Sequence, residues 1–162
     1  MFRLPSSKIC AAAIMAVATL WSAGPSWAAE NPASHCASVG DDDRVKPIPA
    51  GLLGQAIQLF GLPADDAAWA KESTVYRCMG GAVWLCNHGA NLTCGKADMR
   101  REPPSVRAYC RQNPNEEFVP MAVTGHGVIH SWECVHGKSR IKESQEVDPR
   151  GFIASEWRRV EQ

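Results

Sequence analysis

Neither sign of charge is in excess in this chain: 17 lysines and arginines stand against 17 aspartates and glutamates in 162 residues. Binding to nucleic acid through its phosphates needs a basic surface, so this balance argues against a nucleic-acid partner. The short motifs that announce a reaction are also missing. There is no Gly-x-Ser-x-Gly, no P-loop and no dinucleotide fingerprint. Neither Cys-x-x-Cys nor His-Glu-x-x-His occurs, which removes the commonest redox and zinc spacings. Beyond Leu20 no apolar run approaches the roughly 20 residues that a membrane-crossing helix takes, so no membrane span is expected in the mature chain.

What the chain does have begins at its start. Arg3 and Lys8 precede an uncharged run from Ile9 to Leu20, and Ser26-Trp27-Ala28 places small residues where a signal peptidase cuts. Gly24-Pro25 ends the run too early for an anchor, and no Leu-x-x-Cys lipobox follows. Residues 1–28 therefore read as a secretory signal peptide, with a periplasmic or secreted destination. Removing 28 of the 162 residues leaves 134, enough for one modest core. With Arg3 and Lys8 gone, 15 basic residues face 17 acidic ones, a net charge of −2.

Of seven cysteines, Cys10 leaves with the signal peptide. Cys36, Cys78, Cys86, Cys94, Cys110 and Cys134 remain, an even set that reads as a disulfide framework in an exported domain. Six cysteines admit fifteen pairings, which spacing does not choose between. One echo stands out. Tyr76-Arg77-Cys78-Met79-Gly80-Gly81 and Trp132-Glu133-Cys134-Val135-His136-Gly137 share an aromatic residue, then Cys, then Gly at the same steps. Both read as strand ends entering a hairpin, which puts Cys78 and Cys134 in similar places and suggests a bridge between them.

Residues 29–48, with Asn31-Pro32, the run Asp41-Asp42-Asp43, Pro47 and Pro49, read as a linker or tail pinned by Cys36. The three aspartates lack the further ligands and fixed glycine of a calcium loop. Residues 49–162 read as a single disulfide-bonded α+β domain. The apolar stripe of Leu52, Leu53, Ala56, Ile57, Leu59 and Phe60 predicts a helix over 50–60 ended by Gly61. Pro63 opens a second helix through Trp69 to Lys71. Strands follow at Thr74 to Met79 and Ala82 to Asn87 around a Gly80-Gly81 turn, then at Leu92 to Gly95. A central helix lies between Pro103-Pro104 and Pro114, with Val106, Tyr109 and Cys110 on one face. A second meander is expected from Phe118 to Thr124, Val128 to Val135 and Ser139 to Lys142. The last segment reads either as a helix capped at Asp148-Pro149 or as a turn over Asp148 to Gly151 into a strand.

Five groupings of residues could carry chemistry. His126 and His130 stand four apart, but on a strand that is roughly 13 Å, too far for one ion, and neither they nor His35, His88 and His136 imply a metal. His88 near Cys86 and His136 near Cys134 would activate a free thiol, which a fully paired cysteine set does not offer. Glu116, Glu117, Glu133 and Asp148 could supply two acids for glycoside cleavage, but nothing brings two of them together. Lys96, Arg100, Arg101, Arg107 and Arg111 crowd one stretch. Arg107 and Arg111 share a helix face, a candidate anion-binding surface. Trp69, Trp84, Trp132 and Trp157 read as core packing around disulfides more than as exposed anchors. The sequon Asn91-Leu92-Thr93 matters only in a eukaryotic secretory route.

Thr74-Val75-Tyr76-Arg77-Cys78, Ala90 to Ala97, Val119 to His126 and Arg150-Gly151-Phe152 together make the chain similar to small uncharacterised exported, cysteine-rich proteins of alpha-proteobacteria. The resemblance covers most of the mature domain; it implies a periplasmic address and carries no activity. The Tyr-x-Cys and Trp-x-Cys strands also resemble those of periplasmic C-type lysozyme inhibitors, over a short stretch and with a different number of cysteines.

The fold expected is α+β: a small disulfide-stabilised domain with N-terminal and central helices and two antiparallel β-meanders. The function expected is binding rather than catalysis: an exported module of the cell envelope, with no cofactor, whose partner is an envelope polymer or protein. An envelope hydrolase using acidic residues and a lysozyme-inhibitor-like protein are the alternatives. Mass spectrometry of the exported product should find a chain beginning at Ala29 with all six thiols blocked to alkylation. Free thiols, or an intact first segment on protein retained in the cytoplasm, would refute export with oxidation.

Overall fold

The computed structural model describes residues 31–89 and 93–161. The signal-peptide reading of 1–28 and most of the sequon lie outside them. The fold is mixed α/β, with antiparallel strands in two sheets and three disulfides among the described residues.

The stretch read as a linker is ordered. Pro32–Val39 forms α1, with Pro32 in its first turn and the Asn31 side chain accepting from Ala33 N at 2.9 Å. Asp42–Pro47 forms β1. The acidic run misleads because each aspartate is held by a partner. Asp41 accepts from Gly80 N at 2.8 Å, Asp42 grips Arg44 and Lys46 along its own strand, and Asp43 grips Arg150 and Lys96. The Arg44 guanidinium, then Lys46, holds the Asp42 carboxyl well below the usual carboxylate range.

A short 3₁₀ turn at Ala50–Leu52 runs into α2, Leu53–Phe60. Gly61 closes it in the left-handed region at φ 62°. α3 spans Ala67–Ser73, later than Pro63 suggests, because the Asp66 side chain caps it by accepting from Trp69 N. β2, Thr74–Met79, and β3, Ala82–Asn87, pair without a break. Gly80 and Gly81 both have positive φ, as a tight two-residue hairpin demands. β6, Arg158–Arg159, pairs with the far side of β3, giving the order β1-β2-β3-β6. The third strand expected at 92–95 does not form at its described residues, 93–95. There Cys94 is drawn instead to Cys86, closing a short loop.

Period-two alternation gives this sheet two covered faces. Tyr76, Cys78, Val83 and Leu85 face α1 and α2, in a cluster with Cys36, Ile48, Ala56 and Val160. Val75, Trp84 and Cys86 face the other way, packed with Cys94, Phe152 and Trp157. Cys78 and Cys86 therefore lie on opposite faces although they are eight apart. Across this turn Cys78 pairs with Val83, so even spacing reverses the face.

The second sheet is smaller. α4, Pro104–Gln112, packs Val106 and Cys110 against β4, His130–Val135, and β5, Lys138–Ser144. Residues 116–119 run beside β4, with Val119 N donating to Trp132 O and Cys134 N to Glu116 O. The strand expected over 118–124 does not form: 118–120 are irregular, and Pro120 caps the one-turn α5, Met121–Thr124. The C-terminal part takes the turn reading: Asp148 accepts from Arg150 N and Phe152 N, and a 3₁₀ turn at Ala154–Glu156 leads into β6.

The disulfides join Cys36 to Cys78, Cys86 to Cys94 and Cys110 to Cys134. The bridge suggested between Cys78 and Cys134 does not exist, because the two lie in different sheets. Their similarity of place is real. Each is the fifth of six residues in the first strand of a hairpin, and each bonds to a cysteine on the helix covering that hairpin.

Arg77 of β2 is fully buried. Its guanidinium pairs with Asp148 and lies over the rings of Phe152 and Trp157, at 4.1 and 4.5 Å from their centres. Burial lowers its pKa while Asp148 opposes the shift, and a guanidinium stays charged regardless. Arg77→Met, which strands the buried Asp148 carboxylate, should cost about 3–5 kcal/mol in chemical denaturation, whereas Arg77→Met together with Asp148→Asn, which leaves no buried charge, should cost far less. Equal losses from the single and the double substitution would mean that the unpaired carboxylate is not what destabilises the protein.

Candidate functional site

A cavity of about 580 Å³ opens between the two sheets, within the range of small-molecule sites. Its apolar lining comes from the end of α2 and the residues after it, Phe60 and Leu62, and from Val119, Met121, Val128 and Ile129. Short backbone links hold the segment that carries Val128 and Ile129. Asp98 N donates to Gly127 O at 2.6 Å, Ile129 N to Asp98 O at 3.1 Å, and Gln145 N to Ile129 O at 2.8 Å. At its edge Phe118 and Met121 are 55% and 40% exposed, unusual for large apolar residues.

The polar side of the cavity is built at the end of the β4–β5 hairpin and in the last turn. His130 is only 7% exposed. It pairs across the hairpin with Ser144, with Nδ1 2.7 Å from the hydroxyl oxygen, and its ring stands edge-on to Trp132. Glu143 and Glu156 contribute the carboxylates of the wall. Glu156 has one carboxyl oxygen, Oε2, that is buried with no hydrogen-bond partner among the described residues. Burial pushes its carboxyl above the ordinary glutamate value. Arg158 also lines the cavity, but its Nη1 donates to Ser155 O at 2.6 Å.

The residues singled out from sequence fall mostly elsewhere. His126 and His130 both line the cavity. Among the described residues, no group of three or more His, Cys, Asp or Glu is placed to hold a metal ion. Cys36, Cys78, Cys86, Cys94, Cys110 and Cys134 are all in bridges. Of the acids, Glu133 is paired with Arg140, and Asp148 is spent on Arg77; Glu116 and Glu117 are exposed.

Three of the five residues of the basic stretch face carboxylates. Lys96 donates to Asp43 at 2.7 Å and sits over Phe152. Arg100 forks onto Asp98. Arg107 lies 4.0 Å from Glu102, and Arg101 and Arg111 are exposed. Of the tryptophans, Trp132 and Trp157 are core, Trp84 is half-buried and Trp69 is exposed.

Sequence reasoning missed Phe60, Leu62, Glu143, Ser144 and Glu156 as site residues, and Arg77 as the buried charge. The one available signal was the Val128-Ile129-His130 run, which puts a histidine at the end of an apolar stretch. No protein-family model, curated protein or solved structure matches the chain. Among the described residues no helix is long and apolar enough to cross a membrane.

The Arg150 guanidinium, followed by Lys96, holds the Asp43 carboxyl down to about 2. Since this lies below the unfolded value of about 3.9, the pair's stabilisation is complete above that value and is lost as pH falls toward 2. Asp43→Asn should lower stability at pH 7 by about 1 kcal/mol, the order expected of a part-exposed forked pair. It should also flatten the acid limb of the unfolding curve between about pH 4 and 2, followed by circular dichroism.

Proposed function

We propose that the protein is an exported binding module of the cell envelope and that it holds its ligand in the cavity between the two sheets. One observation supports this above the others: a 580 Å³ cavity with apolar walls, a few polar groups on one side, and exposed Phe118 and Met121 at its edge. Apolar lining with a small polar set is the usual make-up of a ligand site, in which the apolar part supplies affinity and the polar part orientation. Three disulfides are compatible with a protein working outside the reducing cytoplasm. Lys96 and Arg100 of the basic stretch already have carboxylate partners, which favours the cavity as the binding site.

A hydrolase is the second reading, favoured by one specific feature. Glu143 and Glu156 both line the cavity, and burial raises the Glu156 carboxyl pKa, as a proton donor requires. Loss of cell-wall or ester hydrolysis in Glu156→Gln would identify it; absence of any turnover by the native protein removes it. The lysozyme-inhibitor reading is tested by adding the domain to lysozyme and following lysis.

The binding reading is tested by passing the oxidised mature protein over immobilised peptidoglycan, lipopolysaccharide and envelope extract. Phe118→Asp together with Met121→Asp, both at exposed positions, should lower retention at least tenfold with the thermal midpoint nearly unchanged. Retention that ignores the double substitution, or no retention on any of the three, refutes the proposal.

A further inference from the structure

Ser144 and His130 face each other across the β4–β5 hairpin, and both line the cavity. His130 Nδ1 lies 2.7 Å from the Ser144 hydroxyl oxygen, inside the roughly 2.6–3.2 Å over which a base activates a nucleophile. The two partners are held differently. The imidazole is buried and stands edge-on to Trp132, so packing sets its direction. Ser144 is exposed, so its oxygen is open to a ligand in the cavity. A pair that served packing alone would be sealed on both sides; here only the base is. The charges that acyl transfer creates also have neighbours. Arg158 lines the same cavity, with Nη1 on the carbonyls of Ser155 and Trp157 and with Nε and Nη2 unengaged among the described residues, a donor set for an oxyanion. Asp98, whose carbonyl accepts from Ile129 N, has its carboxyl held below the ordinary range by Arg100 chiefly and by His130 to a lesser degree. The same attraction favours the imidazolium that forms when His130 takes a proton.

We infer that the cavity carries an acyl-transfer pair, with Ser144 as nucleophile and His130 as its base, acting on esters whose acyl chain lies against the apolar lining. The inference rests on the reading of the cavity as a ligand site, adds a reaction to it, and uses neither Glu143 nor Glu156. Ser144 Oγ bonds to the ester carbonyl carbon as its proton passes to His130 Nδ1. The bond from that carbon to the alcohol oxygen then breaks, and His130 gives the proton to the departing oxygen. Water next attacks the acyl-serine, losing its proton to His130, which returns it to Oγ as the acid leaves. An ester and a water are consumed; an acid and an alcohol are released. Each methylene of the acyl chain that reaches the apolar lining should raise kcat/KM by up to about fourfold.

The experiment treats the oxidised mature protein with an octyl fluorophosphonate, which an activated serine takes up with loss of fluoride, and locates the added mass by peptide mass spectrometry. Cleavage of p-nitrophenyl acetate and p-nitrophenyl octanoate is followed in parallel. The label should sit on Ser144, and octanoate should be cleaved with at least tenfold the kcat/KM of acetate. Ser144→Ala, at an exposed position, should abolish labelling and turnover with the thermal midpoint nearly unchanged. His130→Gln should slow both by about a hundredfold. Should that variant fold poorly, labelling of the native protein in heavy water serves: it should slow, because the hydroxyl proton moves as the oxygen attacks. No label on Ser144, or cleavage that survives Ser144→Ala, overturns the inference. The cavity reading is then still decided separately, by retention of the Phe118→Asp and Met121→Asp double variant. Labelling as fast in His130→Gln, or unchanged in heavy water, removes His130 as the base. Equal kcat/KM on acetate and octanoate overturns the placing of the acyl chain.

Discussion

The buried guanidinium of Arg77 is the constraint around which this small protein is arranged. A charge carried on the inner face of a sheet is tolerable only if it is neutralised and enclosed on every side. Asp148 supplies the counter-charge, and Phe152 and Trp157 supply the enclosure. These three residues lie far along the chain from Arg77, and to reach it the segment 148–157 must fold back over the sheet. The turn at Asp148 is built for this: one carboxyl oxygen takes the backbone N–H groups of Arg150 and Phe152, and the other takes the arginine. The next charged layer follows, since Arg150, placed by that turn, forks onto Asp43 of β1.

The same arrangement sets the position of the cavity. Holding Trp157 over Arg77 fixes the 3₁₀ turn at Ala154–Glu156 just before it and the short β6 just after. Glu156 and Arg158, on either side of Trp157, then line the cavity. The guanidinium on one face of the sheet thus helps to set where the Glu156 carboxyl stands in the cavity lining.

Local elements were readable where short-range signals fix them. The β2–β3 hairpin follows from two six-residue runs around Gly80-Gly81, and α4 from the prolines that bound it. The disulfide-bonded α+β character follows from cysteine parity and alternating texture. The segment 32–47 was not readable, because its order comes from partners distant in sequence: Asp43 and Arg150 are 107 residues apart. The echo between Cys78 and Cys134 pointed to equivalent positions in two helix-covered hairpins. Equivalent positions bond each to its own helix, and so not to one another. The cavity was the least legible part. Phe60, Ile129 and Glu156 come from three separate regions, and nothing local in any of them foretells a shared wall.

The map of cross-links has a mechanical corollary. Cys36–Cys78 and Cys86–Cys94 both staple the four-stranded sheet to its own coverings, and Cys110–Cys134 staples the small hairpin to its helix. None runs between the two sheets, so apart from the continuous chain, their junction relies on hydrogen bonds and side-chain contact. Two separately cross-linked bodies therefore meet at a joint that carries no sulfur bond, so reducing all three disulfides would loosen each body without severing any link across the joint.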